Sequence, residues 1–289
     1  MYGAGSGYLR TLLEEAGMAI TELHGEVNPG FCGTNPEPIA PNLAELAAKT
    51  RATAQAHHLT AGLACDGDAD RVGAVDATGE FVNSHQILSL IMQHLVEDKG
   101  WKGGVIRTFS TSRMVEKMAK HYGLPLHETP IGFKYICDLM VSQDILLGGE
   151  ESGGIGIKNH IPERDGILCG LLLLEIMAKR QATLGELIAR LEETYGPHKY
   201  DRIDLHLADN AAKDRVLSSL KAHPPAAFAG LAVAGIETLD GVKFNFENGA
   251  WLLFRASGTE PLLRIYSEAP THDMVRGLLE AGRAYAQGA

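Results

Sequence analysis

Asp66-Gly67-Asp68-Ala69-Asp70-Arg71 sets three carboxylates at alternate positions and closes the run with an arginine. Three ionised carboxylates at this spacing repel one another, and a cation makes them tolerable. An all-oxygen donor set suits Mg²⁺ or Ca²⁺ rather than zinc. Asp66, Asp68 and Asp70 are therefore read as metal ligands, with Gly67 giving the loop its tight turn. The preceding Ala61-Gly62-Leu63-Ala64-Cys65 is small and apolar, like the end of a buried strand. Ligands in α/β domains bind outside the carboxyl ends of the strands. An EF-hand is excluded, because that loop needs Gly at its sixth position and Glu at its twelfth. This chain has Arg71 and Ala77 there. From these residues alone a solvated acidic turn remains the competing reading, and it is the reading given to Asp240-Gly241.

A second constellation is Arg255-Ala256-Ser257-Gly258-Thr259-Glu260-Pro261, with Arg264 close by. Arginine forks match phosphate oxygens bidentately. Ser257, Thr259 and the amides around Gly258 add donors to an anion-binding concavity. A polar loop with a surface Arg–Glu pair is the alternative. In a third stretch, Gly148 to Gly154, glycine pairs flank Glu150, Glu151 and Ser152. Carboxylates and hydroxyls on a tight loop can bind sugar hydroxyls, although this stretch by itself reads equally as a flexible acidic turn. Lys134, after the turn Thr129-Pro130-Ile131-Gly132-Phe133, is suited to phosphate contact or acid/base work. It is also what a solvated lysine looks like. Arg107, at a strand end, and Arg164-Asp165 are ambiguous in the same way.

The elements that must position these groups fall into three parts. A glycine-rich turn opens the chain and runs into a helix over Tyr8–Ala16. A helix over Leu43–His58 then precedes the acidic loop, and a strand over Val72–Asp76 follows it. Residues 84–196 are expected to hold helices over Gln86–Glu97, Ser112–Tyr122, Asp165–Arg180 and Leu184–Tyr195. Strands are expected there over Gly104–Phe109 and Ile145–Leu147. Gly196-Pro197 marks a boundary. Beyond it, Arg202 to Leu207 alternates with period two, and strands at Gly241–Glu247, Ala250–Phe254 and Leu262–Ser267 lie between two helices. The expected fold class is two successive α/β domains, 1–83 and 84–196, the first cut short at its start. A C-terminal α+β domain, 197–289, completes the chain.

Bulk properties narrow the function classes. The 289 residues carry a formal net charge of −10, which argues against non-specific nucleic-acid binding. The longest apolar run, Ile167 to Met177, is too short to span a membrane. Cys32, Cys65, Cys137 and Cys169 form no C-x-x-C pair, and scattered thiols fit a reducing cytoplasm.

Taken in order, these loops resemble those of the α-D-phosphohexomutases, the phosphoglucomutase/phosphomannomutase family. Asp66–Arg71 is similar to that family's metal loop, Gly149-Glu150-Glu151-Ser152-Gly153 to its sugar-binding loop, and Arg255–Pro261 to its phosphate-binding loop. Asn35-Pro36-Glu37-Pro38 and His160-Ile161-Pro162-Glu163-Arg164-Asp165-Gly166 also resemble family segments. The resemblance implies an intramolecular phosphotransferase that interconverts hexose 1-phosphate and 6-phosphate through a hexose 1,6-bisphosphate. It implies Mg²⁺ on Asp66, Asp68 and Asp70, with Arg71, Lys134 and Arg107 along the phosphate path. Glu150 and Ser152 would meet sugar hydroxyls, and Arg255, Ser257, Gly258, Thr259 and Arg264 the non-reacting phosphate.

Family members carry a further, first domain whose serine, in a Ser-His-Asn-Pro context, is phosphorylated. No such tetrapeptide occurs here; Ser84-His85 is followed by Gln86. The resemblance therefore implies that this stretch is inactive alone, and a non-catalytic sugar-phosphate-binding module is the alternative. A metal-dependent phosphatase with an aspartate nucleophile would explain Asp66–Arg71, but neither the loop at Glu150 nor the one at Arg255.

Overall fold

The small apolar residues before the acidic loop form a strand, β1 (Gly62–Cys65). It pairs antiparallel with β2 (Val72–Val75), which pairs in turn with β3 (Phe81–Val82). The acidic loop is thus the connection of a β-hairpin. The computed structural model describes residues 2–258 and 260–288, and the chain divides into two units, Met1–Thr194 and Tyr195–Ala289.

In the first unit α1 (Tyr8–Glu15) and α2 (Ala44–Ala54) precede the hairpin. α2 covers the sheet with Leu46 and Ala47, and with Leu43 just before it, in one cluster with Ala64, Val75 and Phe81. It stops at Ala54, before the His58 expected from its spacing. α3 (Ser84–Gln93) starts at a capping box in which Asn83 accepts from the Gln86 amide and Gln86 accepts from the Asn83 amide. A π-turn, His94–Asp98, extends it.

β4 (Gly104–Thr108), α4 (Arg113–Tyr122), β5 (Leu126–Thr129), α5 (Phe133–Ser142), β6 (Ile145–Gly149) and β7 (Ile155–Ile157) follow. Their sheet has the order β5-β4-β6-β7. β4 runs parallel to both neighbours, and β7 is an antiparallel edge. α6 (Gly166–Arg180) and α7 (Leu184–Tyr195) end the unit. α6 buries Cys169, Leu172, Leu173, Ile176 and Met177. It packs on α3, β1 and β2, and so ties the hairpin sheet to the elements around the second sheet.

The sequence reading missed β5, α5 and β7. β5 is the half-buried Leu-His-Glu-Thr, with no run of β-branched residues to mark it. α5 has no side-chain cap. Its signal was the spacing of Phe133, Ile136, Cys137 and Met140, which gather in one apolar cluster with Ile106 and Ile145.

The second unit comprises β8 (Lys199–His206), α8 (Asn210–Ala222), β9 (Ala227–Phe228), β10 (Leu231–Glu237), β11 (Val242–Phe246), β12 (Trp251–Ala256), β13 (Leu262–Ala269) and α9 (His272–Gly288). Its antiparallel sheet has the order β8-β13-β12-β11-β10-β9. Phe244, Leu252, Phe254, Leu263 and Ile265 on the sheet bury Val216 and Leu220 of α8 and Val275, Leu278 and Leu279 of α9. β9 and β10 were not expected. The Leu-Ala-Val-Ala-Gly-Ile-Glu of β10 is too rich in small residues to stand out as a strand.

The fold class is the expected one, α/β followed by α+β. Among the described residues no helix is long and apolar enough to cross a membrane.

Candidate functional site

The acidic loop brings its three carboxylates together. One oxygen from each of Asp66, Asp68 and Asp70 lies within 4.8 Å of the other two. Asp66 is buried at 1% exposure, while Asp68 is exposed. The turn is not made where the sequence suggested. Gly67 does not adopt a positive φ; Ala69 does, at 65°. A left-handed alanine costs about 1 kcal/mol, and here its carbonyl accepts from the Gly166 amide at 3.0 Å, which holds the turn. At Gly67 a Cβ would sit 3.1 Å from the Phe31 ring, a tight contact that the ring would have to yield to.

Arg71 closes the loop onto its own first residue. Its backbone N–H donates to Asp66 Oδ1 at 3.1 Å, and its Nε donates to Asp66 Oδ2. A second guanidinium nitrogen lies 3.6 Å from Glu37, in the Asn35–Pro38 segment. Burial pushes the Asp66 carboxyl up, but the Arg71 amide and guanidinium outweigh it and hold Asp66 below the usual carboxylate range. Asp70 behaves oppositely. Burial raises it, Arg164 pulls it down, and the charges on Asp66 and Asp68 leave it at about 6. Three converging oxygens with one carboxyl held high make a donor set that fits a hard divalent cation. A cation must displace the Asp70 proton. Affinity for Mg²⁺ is therefore expected to be flat above about pH 7 and to fall roughly tenfold by pH 5. Calorimetric titration of the chain with Mg²⁺ across that range checks it, and a pH-independent affinity would refute it.

The Gly148–Gly154 loop leaves the carboxyl end of β6 and returns as β7. It is joined to the acidic loop by backbone: the Val72 N–H donates to the Gly153 carbonyl at 3.2 Å, and Arg71 and Gly154 form a β-bridge. Gly153 has φ 100°, and a Cβ there would meet the Val72 carbonyl oxygen at 2.7 Å, so glycine is required. Glu150 is buried and accepts from the Gly132 amide at 2.9 Å, which brings the start of α5, and with it Lys134, to the same loop. Lys134 is exposed, with Nζ 4.8 Å from the Tyr135 ring centre. Ser152 is half-buried in the turn, and the Glu151 carboxylate accepts from Ser110 Oγ at 2.6 Å.

Arg164, ambiguous in the sequence, belongs to the loop pair. It reaches Asp70 Oδ2 at 2.6 Å and lies over the Phe133 ring. Arg107 is placed differently. It is buried, with one guanidinium nitrogen 2.9 Å from Glu128 and 3.2 Å from Glu116. Glu128 is on β5 and Glu116 on α4.

In the second unit Arg255 and Arg264 are cross-strand partners on β12 and β13. Arg255 Nε donates to Asp240 at 3.0 Å, so Asp240 is more than the solvated turn it resembled. Arg264 lies 3.9 Å from Asp204. The Ser257 N–H donates to the Leu262 carbonyl at 2.8 Å, which closes the loop, and Gly258 is exposed at its tip. Thr259 lies outside the described residues. Lys213, which nothing in the sequence pattern marked, reaches the loop backbone from α8.

The three loops lie in segments that match described protein families. Residues 1–79, 83–195 and 209–283 match the family descriptions for phosphoglucomutase/phosphomannomutase alpha/beta/alpha domain II, alpha/beta/alpha domain III and C-terminal domain. The chain belongs to the phosphoglucomutase/phosphomannomutase family. A phosphoglucomutase/phosphomannomutase of Thermococcus kodakarensis is 31% identical over 280 residues, which are 97% of this chain and 58% of that protein. A phosphoglucosamine mutase of Methanocaldococcus jannaschii is 28% identical over 272 residues, 94% of this chain and 58% of the relative. A crystal structure from Thermus thermophilus, put forward as a phosphomannomutase, superposes with a TM-score of 0.84 at 38% identity. It covers 99% of this chain and 59% of the other. This phosphoglucomutase/phosphomannomutase family chain thus spans under three fifths of the length of the relatives it matches.

Proposed function

We propose that this chain supplies the metal, sugar and phosphate loops of a phosphohexomutase that interconverts hexose 1-phosphate and 6-phosphate by way of a hexose 1,6-bisphosphate. The observation that carries the reading is the backbone junction between the acidic loop and the Gly148–Gly154 loop. It sets a cation site beside a loop rich in hydroxyl-binding groups. Mg²⁺ bound to Asp66, Asp68 and Asp70 would supply charge neutralisation for a transferring phosphoryl group.

The chain's own residues do the rest. Arg71 keeps Asp66 ionised and fixes the loop closed. Glu150 orders the Gly132–Lys134 turn, so Lys134 presents a positive charge beside the sugar loop. Glu150 and Ser152 receive the sugar hydroxyls. Arg255, Ser257, Gly258, Thr259 and Arg264 grip the phosphate that is not transferred, which gives position rather than chemistry. Arg107, paired with Glu116 and Glu128, contributes by holding β4 and β5 in register. The 289 residues contain no Ser-His-Asn-Pro segment, so this stretch by itself is proposed to bind sugar phosphate without turning it over.

The test joins the chain to an upstream phosphoserine domain from a family relative and follows glucose 1-phosphate in a coupled assay. Turnover is expected with the phosphorylated serine in place and to vanish when that serine becomes alanine. A phosphorylated fusion that folds and shows no turnover would sink the proposal.

A further inference from the structure

The Arg255–Pro261 loop is held from behind by a buried charge. Lys213, in the first turns of α8, is 5% exposed, and its Nζ donates to the Ser257 carbonyl at 2.6 Å and to the Glu260 carbonyl at 2.9 Å. An ammonium taken out of water is costly unless its donors are used, and here two are used on one loop. The helix that carries it is fixed at both ends of its buried face. Asp209 caps the Ala212 amide at 2.7 Å, and Val216 and Leu220 sit in the core. The loop's flanks are tied independently, by Ser257 N–H to the Leu262 carbonyl and by Leu207 N–H to the Pro261 carbonyl. Lys213 therefore acts on the stretch between those two ties.

The peptide unit decides what this does. It is planar and trans, so a carbonyl and the N–H that follows it point in opposite directions. With the Ser257 carbonyl turned in to Lys213, the Gly258 N–H faces outward at the exposed tip of the loop. At the Glu260 carbonyl no amide is committed, because Pro261 has none. An outward amide beside the Ser257 hydroxyl, with a positive charge behind it, is an anion-binding arrangement.

We infer that Lys213 is a positioning residue: by clamping the Ser257 and Glu260 carbonyls it presets the loop, with the Gly258 N–H aimed at the phosphate of a bound sugar phosphate. The inference rests on the reading of Arg255–Pro261 as the phosphate loop. A preset loop binds more tightly because less ordering is left to do at the moment of binding.

Calorimetry with glucose 1,6-bisphosphate on the whole chain tests it in four proteins: wild type, Arg255→Ala, Lys213→Met and Lys213→Arg. Lys213→Met is expected to weaken binding about tenfold, and Lys213→Arg, which keeps the donors, to stay within about threefold of wild type. Mg²⁺ affinity is expected to be unchanged in both. Lys213→Met binding within twofold of wild type, while Arg255→Ala loses affinity, overturns the positioning role alone. Arg255→Ala binding as the wild type overturns the phosphate reading and this inference together. Amide resonances of β12 and β13 report whether Lys213→Met folds. If it does not, Lys213→Ala is measured against Lys213→Arg, and equal affinities for those two overturn the inference.

Discussion

Asp66→Ala is expected to abolish divalent-cation binding and to lower stability by about 3 kcal/mol, the scale of a buried ion pair broken on one side. The size follows from what Asp66 does besides offering a ligand oxygen. It is almost fully buried and takes both the amide and the guanidinium of Arg71. Removing it leaves the Arg71 charge, among the described residues, with the more distant Glu37 and Asp70. Asp68→Ala is the informative contrast. Asp68 is exposed and has no ion pair among the described residues, so its loss is expected to cut cation affinity with little change in stability. Urea unfolding and Mg²⁺ calorimetry on the two variants separate the roles. If Asp68→Ala bound Mg²⁺ as well as wild type, the loop would be the solvated acidic turn after all.

Arg255→Ala is expected to weaken binding of glucose 1,6-bisphosphate by ten- to a hundredfold, about 1.4–2.7 kcal/mol. Stability should hardly move, since a partly exposed ion pair such as Arg255–Asp240 contributes at most about 1 kcal/mol. The pairing explains why a large effect on binding is expected. Asp240 takes the Nε of Arg255 at 3.0 Å and thereby orients the planar guanidinium. The neighbouring Arg264 adds a second positive charge across the strand pair. Binding should also weaken with salt in the wild type, and less steeply in the variant. Calorimetry at two ionic strengths reads both. Equal affinity in wild type and Arg255→Ala would remove the phosphate from this loop.

The acidic loop was legible because its donors lie within six consecutive residues, so spacing alone puts them on one turn. Even so, the residue that makes the turn was misread: Ala69, not Gly67, takes the left-handed backbone. Propensity assigns that place to glycine, whereas here an alanine takes it, with its carbonyl bonded by the Gly166 amide. The same limit hid β5 and α5, whose half-buried residues carry too little contrast to announce an element without the sheet they join.

By itself the sequence determined three candidate loops, their order and the fold class, because each loop is a short continuous segment flanked by recognisable strands and helices. The tertiary structure decided which charges those loops can use. It gave Arg164 to Asp70, Glu150 to the Gly132 amide, Asp240 to Arg255 and Lys213 to the Ser257 and Glu260 carbonyls, and it committed Arg107 to Glu116 and Glu128. Most of these partners are far apart along the chain, and nothing local to one residue encodes the other. What joins them is the packing of α6 on the hairpin, α5 on the second sheet and α8 on the third, which burial of apolar surface drives and which then fixes where each charge must find its counterpart.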